Sequence, residues 1–207
     1  MGIISYIGNQ FHKPTGIGGR LVTFVMNRQN MAQYLGAENA LELVGSDKAL
    51  DIGFGNGYLI NNLAKRHASH FFGIDISEDM LTAATSRNRK FIAEGRMALK
   101  LGDALNTGFP DEFFDKVYTV NTTYFWDNLD KGLAEIHRIL KPCGVFVNAI
   151  YTKERLDSLP VTRSGYAKYT LEEYSDAGAR NGFTTYLRPV TLGKAYCVIY
   201  RKSKDAA

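Results

Sequence analysis

The sequence has only two cysteines, Cys143 and Cys197, in 207 residues. They stand 54 positions apart, which makes neither a metal-ligand spacing nor a disulfide framework. Both are therefore expected as reduced packing residues of a cytoplasmic protein. No apolar run approaches the roughly 20 residues that a membrane span needs. The opening stretch, MGIISYIGNQFHK, lacks the charged-then-apolar order of a signal peptide, and Tyr6 stands where a myristoylation pattern wants Ser or Thr. Four histidines are scattered without ligand spacing, so no metal site is expected. The net charge of +4 is not gathered into the basic stripe of a nucleic-acid protein. Only RNRK at 87–90 and RKSK at 201–204 run together, and the charge suits a solvated surface. Repeats, linkers and low-complexity segments are also missing, which leaves one domain over 1–207.

What is present is an ordinary globular composition, 45% hydrophobic and 22% charged, with strand and helix patterns in alternation. Apolar runs predict strands at 48–52, 70–75, 97–101, 115–120 and 143–150. Helices are predicted at 57–66, after a run of glycines, and at 77–88, opened by Ser77 and two acids. In LDKGLAEIHRIL, the residues Leu129, Leu133, Ile136 and Leu140 recur at helical spacing before Lys141-Pro142 stops the helix. Such alternation predicts an α/β fold, a parallel sheet wound on both faces with right-handed crossovers. Residues 20–44 read as helix, and Thr170 with Glu172 and Glu173 opens another at 170–181. FTTYLRPV and KAYCVIYRK then form two strands around a turn at Gly193, an antiparallel hairpin.

The glycines stand in ALDIGFGNGYL, residues 49–59, at alternate positions after the first strand. A dinucleotide fingerprint needs a third glycine at the sixth position so that the helix can approach the strand. Counted from Gly53, Gly55 fits but Tyr58 occupies the sixth place, which disfavours a nicotinamide oxidoreductase. The pattern present is Asp51, Gly53, Gly55, Gly57, and it resembles the first motif of the class I S-adenosylmethionine-dependent methyltransferases. Glycines let the backbone pass close beneath a ligand, and the following helix directs free N–H groups at a carboxylate.

The resemblance continues through residues 45–150. In FFGIDIS, Asp75 ends the second strand, where a carboxylate can accept from both ribose hydroxyls, and Ile76 offers an apolar face to adenine. In LKLGDALNTGFPDEFFDKV the resemblance implies an adenine contact from Asp103 with Ala104. LAEIHRILKPCGVFV is similar to the family's helix and fifth strand, and the likeness is nearest to small-molecule methyltransferases of the ubiquinone/menaquinone-biosynthesis type. It implies a Rossmann-like, mostly parallel seven-stranded sheet with an antiparallel C-terminal hairpin and an N-terminal helical cap. Residues 1–44 would be lid and helices, 45–150 the cofactor-binding core, and 151–207 rim, last helix and hairpin. It also implies S-adenosyl-L-methionine as cofactor, S-adenosyl-L-homocysteine as product, and a small-molecule acceptor methylated by in-line displacement.

The catalytic group is not legible, because a sulfonium methyl is already activated and a base is not always needed. After the fourth strand, NTTYFWDN departs from the Asn-Pro-Pro-aromatic signature of base-modifying methyltransferases. Asn121 is expected at the methionine end of the cofactor, with Tyr124, Phe125 and Trp126 as substrate-pocket walls. His12 and Tyr124 are the candidate bases. A Gly-rich lid hinged at Gly16, Gly18 and Gly19 would close over the cofactor. Tyr151, Lys153, Arg155, Arg163 and Tyr166 on the rim would suit an anionic or aromatic acceptor. An RNA methyltransferase and a non-catalytic cofactor-binding module remain as alternatives; the oligomeric state is open.

Overall fold

A computed structural model describes residues 30–204. His12, the glycines at 16, 18 and 19, and the first part of the 20–44 helix lie outside them. The elements are α1 (Met31–Leu41), β1 (Lys48–Ile52), α2 (Tyr58–Arg66), β2 (His70–Asp75), α3 (Glu78–Ala93) and β3 (Met97–Leu101). There follow β4 (Phe114–Val120), α4 (Leu129–Ile139), β5 (Leu140–Tyr151), the short α5 (Lys153–Asp157), α6 (Leu171–Arg180), β6 (Phe183–Thr191) and β7 (Ala195–Lys202). All seven strands form one sheet in the order β3-β2-β1-β4-β5-β7-β6. The first five run parallel, and β7 and β6 add antiparallel at the β5 edge.

Successive residues of a strand point to opposite faces, and here both faces are covered, so the buried positions of the central strands are mostly apolar on either face. Leu50, Val117, Phe146 and Val198 face Leu133, Ile136 and Ile139 of α4 and Tyr174 of α6. Their neighbours Ala49, Tyr118, Val147 and Cys197 face Leu41 of α1, Ile60 and Leu63 of α2 and Phe91 of α3. The helix α1 sits close on the C-terminal strands: a Cβ on Gly36 would meet Val190 Cγ2 at 2.6 Å and Cys197 Sγ at 3.3 Å.

Helix ends follow the sequence signals. Ser77 Oγ accepts from Met80 N, Asn128 from Lys131 N, and Thr170 with Glu173 closes a reciprocal capping box. At the far end of α4, the buried Lys202 donates from Nζ to the carbonyls of His137 (3.0 Å) and Leu140 (2.8 Å). A cation there answers both the open carbonyls and the negative end of the helix dipole.

Two expectations need correction. The helix α1 ends at Leu41, earlier than residue 44, because Glu42 turns left-handed (φ 47°) and Asp47 then ties off a turn at Val44. Cys143 is exposed, not packed: β4 pairs with β5 at Leu140 and next at Val145, so residues 141–144 bulge out of the ladder. Cys197 is buried, as expected.

Candidate functional site

The C-terminal ends of the parallel strands open into one cavity of about 330 Å³. This is where open parallel sheets hold ligands. The sheet brings together Asp51, Gly53 and Gly55 after β1, Asp75 and Ile76 after β2, Asp103 and Ala104 after β3, and Asn121, Phe125 and Trp126 after β4.

The glycines play different parts. Gly55 takes a left-handed φ of 55°, and a Cβ there would meet nothing within 4 Å. Packing does not demand glycine at this position, and the open space belongs to the cavity. The Gly55 amide donates to Asp75 Oδ2 at 2.8 Å, fixing the loop to the tip of β2. Gly57, expected at the cofactor, does not line the cavity. A Cβ on it would lie 2.5 Å from Asn88 Nδ2 and 2.8 Å from Ala84 Cβ, so it is the residue that lets α2 start against α3. Asn88 occupies the space, donating to the Gly57 carbonyl and accepting from Asn61 Nδ2. On the other side, a Cβ on Gly53 would meet Thr122 Cγ2 at 2.5 Å, which brings the tips of β1 and β4 together.

Asp75 uses both oxygens on backbone: Oδ2 accepts from Gly55 and Oδ1 from Ser77 at 2.9 Å. It thus prepares the α3 cap as well as facing the cavity. Each oxygen keeps a second lone pair for a hydroxyl. Burial pushes its carboxyl upward, and the amides of Ser77, Gly55 and Ile76 pull it back. Asp51 is more confined, 3% exposed, and burial drives it well above the ordinary carboxylate range. The neighbouring Tyr118 phenol partly offsets this, and Asp75 adds to it. Neither Asp51 Oδ2 nor the Tyr118 hydroxyl has a partner in hydrogen-bonding geometry among the described residues.

Asn121 lines the cavity, yet its side-chain amide is occupied. It exchanges hydrogen bonds with Gln33 in both directions (2.9 and 3.1 Å), donates to Asn30 at 3.1 Å and accepts from the Tyr124 hydroxyl at 3.1 Å. Its backbone N–H is engaged as well, donating to the Ala149 carbonyl at 2.9 Å. Tyr124 is a correction: it is 3% exposed and does not line the cavity, standing behind it against Asn121 and the backbone of Tyr151. Burial holds its phenol well above the usual range, which unsuits it as a base. The pocket wall is Phe125 and Trp126, with Tyr166 edge-on behind Phe125 at 4.8 Å.

The named rim residues do not line the cavity. Lys153 and Lys168 both close on Asp157, and Arg155 donates to Ser158. The sequence reading missed Asn30 and Tyr34, which α1 presents one turn apart, along with Leu105 and Asp127. The signal was available in Asn30, Gln33 and Tyr34, polar groups at helical spacing on one face. Burial raises the Tyr34 phenol most, its bond to Asn30 lowers it, and Asp51 adds to the rise.

A glycine turn after the first strand, a carboxylate at the tip of the second and a cavity across the switch point define an α/β domain of the doubly wound, ligand-crevice class. Residues 50–148 match the family model of the methyltransferase domain. The chain is 30% identical over 156 residues to the uncharacterized methyltransferase YdaC of Bacillus subtilis, covering 75% of this chain and 83% of that one. It belongs to the class I S-adenosylmethionine-dependent methyltransferases. It is also 29% identical over 129 residues to a sterol 24-C-methyltransferase of Eremothecium gossypii, where it matches 62% of this chain but only 34% of that protein. The fold is shared with a geranyl diphosphate C-methyltransferase of Streptomyces coelicolor, solved with Mg2+, geranyl diphosphate and S-adenosyl-L-homocysteine. The TM-score is 0.71 at 16% identity, covering 95% of this chain and 87% of that one. Among the described residues, no helix is long and apolar enough to cross a membrane.

Proposed function

We propose that the cavity binds S-adenosylmethionine and that the chain transfers its methyl group to a small-molecule acceptor held between α1 and the tip of β4. The observation that carries this is the join of Gly55 to Asp75: an open glycine beside a buried carboxylate that keeps lone pairs for a ribose. Asp51, with an unpartnered oxygen, suits the ammonium of the methionine end. Ile76 and Ala104 would flank the adenine, with Asp103 at its edge. When bound, the cofactor supplies a methyl carbon already activated by the adjacent sulfonium. The protein's own contribution is to orient the acceptor and exclude water, for which Tyr34, Asn121, Phe125 and Trp126 form the wall. The named sterol and geranyl diphosphate enzymes favour a small-molecule acceptor.

Calorimetry with S-adenosylhomocysteine tests the proposal. Gly55→Val should abolish binding, and Asp75→Ala should weaken it by about 1.5–3 kcal/mol, the range for hydrogen bonds to a charged group. Unchanged affinity in the Asp75 variant would place the ribose elsewhere.

A further inference from the structure

We propose that the methyl acceptor is an amine, a nitrogen uncharged before transfer and cationic after it. The proposal rests on the cofactor assignment above. Four aspartates line the cavity, Asp51, Asp75, Asp103 and Asp127, and among the described residues no Lys, Arg or His does. That is a reversal of sign in a chain whose net charge is +4. The basic residues close by are engaged outside: Arg87 donates to the Asn56 carbonyl and lies over the Tyr58 ring, while Lys153 and Lys168 meet Asp157.

S-adenosylmethionine carries one net positive charge: sulfonium and ammonium against a carboxylate. It offsets one carboxylate of the four. Asp51 Oδ2 is buried and unpartnered, and the Tyr118 phenol beside this carboxylate offsets only part of the cost of its burial. An anionic acceptor such as a carboxylate, phosphate or phenolate would enter this site against repulsion, and among the described residues no arginine or lysine lines it to receive that charge. A cationic product is favoured by the same carboxylates and by the faces of Phe125 and Trp126.

An amine that enters as its ammonium form first loses one proton, to water or to Asp127, and then needs no further base for the displacement. Its lone pair forms the N–C bond as the C–S bond breaks, and the C–S electron pair passes to sulfur, which becomes neutral. The positive charge moves to nitrogen, and any N–H proton leaves afterwards to water. The phenol nearest the acceptor space, Tyr34, is held protonated by burial and does not suit deprotonation of a hydroxyl acceptor. Asp127, exposed on the wall beside Trp126, is the carboxylate left for the acceptor once the cofactor has met the other three.

The test uses the protein saturated with S-adenosylhomocysteine and two product-sized probes, benzyltrimethylammonium and benzylsulfonate, titrated by calorimetry. The cation should bind at least ten-fold more tightly than the anion, and Asp127→Asn should remove most of that preference. Equal affinities, or preference for the sulfonate, overturn the amine assignment while leaving the cofactor assignment standing. A preference unchanged in Asp127→Asn overturns the part given to that residue. Failure of S-adenosylhomocysteine itself to bind overturns the cofactor assignment and this inference with it.

Discussion

Gln33 and Asn121 hold each other by both ends of their side-chain amides, one on the first described helix and one at the tip of β4. The pair spans 88 positions of sequence and is buried at the Gln33 side. Asn121 adopts a left-handed backbone (φ 58°), which aims its amide at α1 instead of along the strand. Gln33→Ala would leave that amide short of partners in a half-buried place. Urea unfolding should show a loss of about 1–3 kcal/mol, the cost of an unsatisfied buried polar group. A loss under about 0.3 kcal/mol would mean that water replaces Gln33 freely.

Gly55 and Gly57 are two residues apart and should fail in opposite ways. Gly57→Ala pushes a methyl into Asn88 and Ala84 and should cost about 1–3 kcal/mol of stability by overpacking. Gly55→Ala meets no protein atom and should cost only the left-handed strain, about 1 kcal/mol. Cofactor affinity should fall far more in the Gly55 variant than in the Gly57 variant. Thermal unfolding and S-adenosylhomocysteine calorimetry on both proteins separate the two effects, and matching profiles would refute the division of labour.

Burial raises both Asp51 and Asp75. Below the ordinary carboxylate range, the folded and unfolded chains both hold these protons. As pH rises, the unfolded chain releases them first, so stability falls until the raised folded values are passed. Asp51→Asn removes one such group. Without ligand, that variant should lose less stability than the wild type between pH 5 and pH 8. Its affinity for S-adenosylhomocysteine should drop. Urea midpoints at the two pH values decide it, and an identical pH slope in the two proteins would refute a raised Asp51.

Gly132 sits inside α4, where helix propensity alone favours alanine by about 1 kcal/mol. The Trp126 ring passes so near that a Cβ would meet Cε3 at 2.5 Å and Cζ3 at 2.6 Å. Gly132→Ala should therefore destabilise, by about 1–3 kcal/mol of overpacking. It should also disturb the cavity wall through Trp126. A rise in melting temperature would show that the ring has room to move.

The strands and much of the cavity lining were legible because each rests on a local pattern. Apolar runs and caps located β1 to β3 to the residue, and Asp51, Gly55 and Asp75 follow in order along strand tips that the topology must bring together. The role of Gly57 was not legible, since the residues it spares, Ala84 and Asn88, belong to another helix. Tyr124 was misplaced for a related reason. In a run of three aromatics the sequence does not say which points inward, and a hydroxyl with partners on Asn121 and Tyr151 turned it behind the wall. The α1 contribution escaped because Gln33 meets its partner only after β4 has formed. The rim residues Lys153, Arg155 and Arg163 suggested an anion site by composition, while Asp157 and Ser158 had already engaged Lys153 and Arg155.

The seat of α1 on Val190 and Cys197 joins the first described helix to the last described strands. This helix leaves the ribosome before every described strand, yet the surface it docks on includes β7, which emerges last among the described elements. Its seat is complete only when β6 and β7 have been made, although β5 and β4 already offer it part of their surface. The cavity wall that Asn30 and Tyr34 provide is therefore braced from the opposite end of the fold.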